Sequence, residues 1–221
     1  MAAWPSSADE LVEAQRALAE ANPAPFRPEA DTVVGGCFVC SLRGKRGAGR
    51  TGDPLWAAAA TADTRAVAEE KAGAPYEAGL LALREGPALE AAVRALERPP
   101  DVLLVDATGR DHPRRAGLAL HLGAQLDLPT VGVTHRPLLA EGTWPPDERS
   151  ATTPLVLEGA VVGHWVRTRP GTRPLAVHAA WRTDPETAVE LVLAAVAGHR
   201  APEPLRRARR AAREARAAAQ F

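Results

Sequence analysis

Four apolar residues in a row, Val102 to Val105, run directly into Asp106, and a polar stretch, ATGRDHPRR over 107–115, follows before helical spacing resumes. An apolar run without alternation reads as a strand covered on both faces. Such a strand delivers the carboxylate at its end to an open sheet edge, where α/β proteins place chemistry because the scaffold fixes the group and the loop leaves room for substrate. A second carboxylate, Glu85, lies upstream in PYEAGLLALREGP, where Gly86 and Pro87 predict a broken turn of helix. Two acids, His112, Arg114 and Arg115 together suggest a metal and a phosphate.

The elements around this strand alternate in type. Ser7 with Glu10 predicts a capping box for a helix bearing Leu11, Ala14 and Leu18, stopped at Asn22-Pro23. Residues 32–40, 55–61 and 65–69 read as three antiparallel strands, and residues 88–98 as a helix ended by Pro99-Pro100. A helix over 116–126, a buried strand over 130–133, a hairpin turning at Glu158-Gly159, a short strand at 175–177 and helices near 184–198 and 203–219 complete the order. That order predicts one α/β domain over 1–221, with an N-terminal helix and linker in 1–30 and a basic C-terminal helix in 200–221.

Charge narrows the partners. Lys plus Arg equals Asp plus Glu at 27 each, so attraction to nucleic acid must come from local patches. Two such patches stand out: Arg43, Lys45, Arg46 and Arg50 in a Gly-rich loop, and the arginines between Arg206 and Arg216. The latter read equally as a solvated helix face or as a phosphate contact. Cys37 and Cys40 lack a partner pair for zinc and, three apart on a strand, are expected as free thiols on opposite faces. No apolar run approaches the ~18 residues of a membrane span, and the start lacks a leader pattern, so a cytoplasmic protein without membrane contact is expected.

PYEAGLLALREGP, VDATGRDHPRRAGLALHLG and LPTVGV, with Gln15, the Val166-Arg167-Thr168 strand end and Arg200-Ala201-Pro202-Glu203-Pro204, resemble the endonuclease V family of deoxyinosine 3′ endonucleases. The resemblance implies a ribonuclease H-like mixed sheet flanked by helices, and a monomer. It also implies hydrolysis of inosine-containing DNA or RNA one phosphodiester beyond the lesion on its 3′ side. Family members build a Mg2+ or Mn2+ site from an acid on the first strand, a Glu after the Pro-Tyr motif and an Asp ending the fourth strand. Glu85 and Asp106 match the last two and are the implied metal ligands, with His112 as a further catalytic residue orienting the carboxylate or a water.

The first-strand acid is replaced. Aligning Gly36 to the family glycine puts Phe38 there, and shifting by one puts Cys37 there; neither suits magnesium. Asp31, Asp53 and Asp63 are the nearest acids in sequence. Tyr76 keeps the aromatic of the base wedge, but Glu77 follows it; His135 stands for a Lys, and Ala180-Trp181 for a Gly-His pair. Tyr76, Arg114 and His135 are the implied nucleic-acid contacts. Three readings stay open: a metal-dependent endonuclease, an impaired homologue that binds nucleic acid or a partner without cutting, and a protein-interaction module using the C-terminal helix.

Overall fold

The sheet grows in two directions from β1 (Val34–Ser41). On one side lie β2 (Pro54–Ala60) and β3 (Arg65–Lys71), each antiparallel to its neighbour. On the other, β1 runs parallel to β4 (Val102–Val105), and β4 parallel to β5 (Thr130–Thr134). The hairpin of β6 (Thr152–Leu157) and β7 (Ala160–Val166) then joins through β8 (Leu175–Ala179), giving the order β3-β2-β1-β4-β5-β8-β7-β6. The structure is a computed structural model that describes residues 3–21, 23–44 and 47–219; Asn22, Lys45 and Arg46 of the sequence reading lie outside them.

Helices cover both faces, and the strand run at 102–105 shows how. Leu103 and Val105 pack with Cys37 under α1 (Ala8–Glu20), α2 (Leu81–Arg94) and α3 (Leu118–Leu126). Val102 and Leu104 face the opposite way, with Leu191 of α4 (Pro185–Ala194) and Leu205 of α5 (Glu203–Ala218). The two thiols divide likewise: Cys37 is buried beneath α2, while Cys40 is half-buried against α5, and both are free.

Two local expectations change. The capping box is half formed: Ser7 accepts from Glu10 N, but the Glu10 carboxylate accepts from Ser6 N. And α2 is not broken at Gly86-Pro87 but continuous from Leu81 to Arg94. The missing N–H of Pro87 removes the helical donor to the Leu83 carbonyl, and the loop before α2 lies along the same turn, where Gly73 N donates to the neighbouring Arg84 carbonyl. Gly86 meanwhile leaves room for the Trp4 ring, 2.3 Å from where a Cβ would sit.

Helix and sheet also meet closely at Gly36, where a Cβ would lie 2.6 Å from the Leu205 backbone nitrogen. Only glycine lets the start of α5 rest on β1 here. We expect Gly36→Ala to lower stability by about 1–3 kcal/mol, the usual cost of forcing extra atoms into a close-packed contact. Urea denaturation measures this, and an unchanged midpoint contradicts the packing described.

Candidate active site

The chain leaves β1 toward β2 and returns on its other side as β4, so the order of strands reverses between β1 and β4. A crevice opens at the carboxyl ends of parallel strands at such a reversal. Cys37 lies opposite Val105, so the next residues, Phe38 and Asp106, reach that edge on neighbouring strands.

From Gly36 to Phe38 is two residues of strand, ~6.6 Å, and from Leu205 to Arg209 is four residues of helix, ~6 Å. Seating Leu205 on Gly36 therefore brings Arg209 over Phe38. Its guanidinium carbon stands 5.1 Å from the Phe38 ring centroid, and Nη2 donates to Asp106 Oδ2 at 2.9 Å. Arg213, one turn on, flanks the same ring at 5.8 Å. The C-terminal helix is thus neither wholly solvated nor free: Leu205, Ala208, Ala211 and Ala212 are buried, and Arg216 donates to the Ser41 carbonyl.

Glu85 approaches from α2. Burial pushes its carboxyl up to about 7; the Asp106 charge adds to this and Arg84 opposes it. His135 follows β5 and is exposed, its Nδ1 3.0 Å from Arg200 Nη1, so a guanidinium donates to the ring and the imidazole is neutral. Burial, then the Arg200 charge, depresses its pKa against a smaller opposing pull from Asp106.

Gly79 organises the second half of the site. With φ of +81° it holds a conformation that favours glycine, and its carbonyl gathers three donors. These are Gln15 Nε2 at 3.1 Å, Arg114 Nη2 at 2.8 Å and His112 Nε2 at 3.1 Å. Arg114 Nε also donates to Gln15 Oε1 at 2.6 Å, so α1, the Tyr76–Gly79 segment and the β4–α3 loop form one clasp. His112 Nδ1 accepts from Arg114 N at 3.1 Å, and burial depresses the ring to about 4. Both nitrogens of His112 are therefore engaged with backbone groups and neither meets Asp106, unlike the orienting contact expected from sequence. Arg114 likewise points into the clasp.

The clasp presents Tyr76, 52% exposed, at a cavity of about 200 Å³ whose walls include Asp106, Thr108, His112, Leu118 and Leu138. Asp111, fully buried, closes the far side by accepting from the backbone nitrogens of Leu138, Leu139 and Ala140. His178 turns into the core, 2.9 Å from Thr134 Oγ1.

The acids nearest Phe38 in sequence do not come to the site's aid. Asp53 pairs with buried Arg84 at 3.8 Å, and among the described residues no three histidines, cysteines or acids group as a metal site. Phe38 offers no lone pair, and Asp106 already carries a guanidinium. Of the three implied ligands only Glu85 and Asp106 come together, and Arg209 already holds Asp106 Oδ2, so a divalent ion would find two carboxylates, one of them already paired. Glu85, Asp106 and Tyr76 were expected at the site from the sequence, Arg200 and Gln15 only as motif residues without a role, and Arg209 and Gly79 were not singled out. The Arg209 signal exists only once the β1–α5 register is known.

The endonuclease V family profile matches residues 50–210. An endonuclease V of Roseiflexus sp. strain RS-1 is 45% identical over 143 residues, which is 65% of this chain and 64% of that protein, so the chain spans under two thirds of that relative's length. The solved endonuclease V of Streptomyces avermitilis superposes with a TM-score of 0.84 at 33% identity, covering 97% of this chain and 95% of that one. A Ciona intestinalis endonuclease V, in complex with a 24mer DNA containing an inosine followed by a ribo-adenosine, shares the fold at 22% identity and a TM-score of 0.75, covering 94% and 96%. The fold is the ribonuclease H-like α/β class expected from the sequence. The chain belongs to the endonuclease V family.

A raised carboxyl has a pH signature. With a folded pKa of about 7 against an ordinary 4.5, the Glu85 contribution to stability is complete below 4.5 and is lost as pH rises through 7. Relative to Glu85→Gln, the unmodified chain should lose about 2 kcal/mol between pH ~5 and ~8, part of the full shift because the side chain keeps some contact with water. Parallel melting curves across that range contradict the assignment.

Proposed function

We propose that the protein recognises nucleic acid carrying a deaminated purine, taking one base into the cavity beside Tyr76 and laying the adjoining backbone against the arginines of α5. The observation that carries this reading is the clasp on Gly79, which holds a half-exposed aromatic beside a cavity suited to a single ring system. Enzymes and binders that read one base out of a strand use such a pocket with an aromatic platform. His112 and Arg114 act by positioning this loop. With net charge zero, attraction must be local, and Arg200, Arg209 and Arg213 supply it beside Asp106, with the neutral His135 ring next to Arg200 as a hydrogen-bonding contact. Kinship with the Ciona protein on inosine-containing DNA supports the choice of lesion.

Family kinship also implies cleavage on the 3′ side, and the meeting of Glu85 and Asp106 favours it. Phe38 and the Arg209–Asp106 pair favour binding without metal-dependent cutting, and that is the reading we adopt. Inosine-containing and undamaged DNA and RNA in Mg2+ and in Mn2+ test both. Preferential inosine binding is expected, weakened about 10–100-fold by Tyr76→Ala, the loss of one stacking contact. Cleavage that disappears in Asp106→Ala contradicts the non-cutting reading. No binding even at low salt contradicts both and leaves a protein partner for α5.

A further inference from the structure

Three guanidiniums crowd the strand edge around one carboxylate that is free to pair with them. Arg209 binds Asp106 at 2.9 Å while lying over Phe38, Arg213 flanks that ring at 5.8 Å, and Arg200 stands close enough to feel the Arg209 charge. Among the described residues the buried Arg209 Nε–H meets no acceptor, so Asp106 does not satisfy every donor of this guanidinium.

We propose that Arg209 is the resident cation of this centre: its guanidinium takes the place beside Asp106 that a divalent ion would need, and the site binds a phosphodiester phosphate without metal. This rests on the nucleic-acid reading above and specifies how the backbone is held. A divalent ion at Asp106 would find Oδ2 already taken by Arg209 and, on Oδ1, would sit beside a guanidinium that the seating of α5 on Gly36 brings over Phe38. Phe38 supplies no ligand in compensation. A phosphate meets the opposite balance. Asp106 neutralises one guanidinium, leaving the charges of Arg213 and of Arg200, which already donates to the Arg173 and Pro174 carbonyls and to His135, to attract the phosphate oxygens, and the planar fork of arginine suits them.

The test uses the full chain, Mn2+ as the metal probe and a single-stranded inosine-containing DNA as the phosphate probe. Free Mn2+ is followed by its electron paramagnetic resonance signal for the unmodified protein, Arg209→Gln, and Phe38→Asp with Arg209→Gln. The unmodified chain should leave the ion free, and the double variant should bind it at least ~10-fold more tightly. The DNA should bind equally in EDTA and in Mn2+, and about 10-fold more weakly to Arg209→Gln. Should the glutamine variants fail to fold, the unmodified chain still decides. Mn2+ uptake by it as one tight equivalent, or loss of DNA binding in EDTA, overturns the proposal. DNA that binds nothing under any condition overturns the nucleic-acid reading and the phosphate part with it, while the Mn2+ titration separately judges whether Arg209 excludes the ion.

Discussion

The seating of α5 on Gly36 decides what stands at the carboxyl edge of β1 and β4. Without a Cβ at that position the helix backbone reaches the strand, and equal advance along strand and helix carries Arg209 over Phe38 and onto Asp106. The ion pair itself, about a quarter exposed, adds little stability by Coulomb attraction alone. Its importance is positional. Stacking on an aromatic face restricts the guanidinium before any ligand arrives, so less freedom is lost when it binds.

The other half of the site is built by hydrogen bonds rather than by packing. One carbonyl, that of Gly79, joins α1, the Tyr76 segment and the β4–α3 loop, and Asp111 ties that loop to residues 138–140. The loop after Asp106 therefore serves two neighbours at once. A base held beside Tyr76 and a phosphate held near Asp106 would share this one scaffold, which makes their spacing a property of the fold.

Much of this was legible in the chain. The unbroken apolar run at 102–105 gave a strand buried on both faces, and Asp106 at its end gave the edge. Glu158-Gly159, both at positive φ, formed the expected hairpin turn. What stayed hidden depended on partners distant in sequence. Pro87 reads locally as a helix breaker, yet α2 continues through it from Leu81 to Arg94. Arg209 is one of six arginines in the last helix, and its partner lies 103 residues away. His112 was expected to orient Asp106 or a water; its ring nitrogens meet Gly79 and the Arg114 backbone, contacts that need the folded loop to be seen.

In the proposed arrangement a guanidinium, and not a metal ion, neutralises Asp106. A crystal structure of the unmodified protein grown in Mn2+, with anomalous data collected at the manganese edge, addresses it directly. An intact Arg209–Asp106 contact over the Phe38 ring and no anomalous peak between Glu85 and Asp106 are expected. A manganese peak bridging those two carboxylates, with Arg209 swung away, would contradict it.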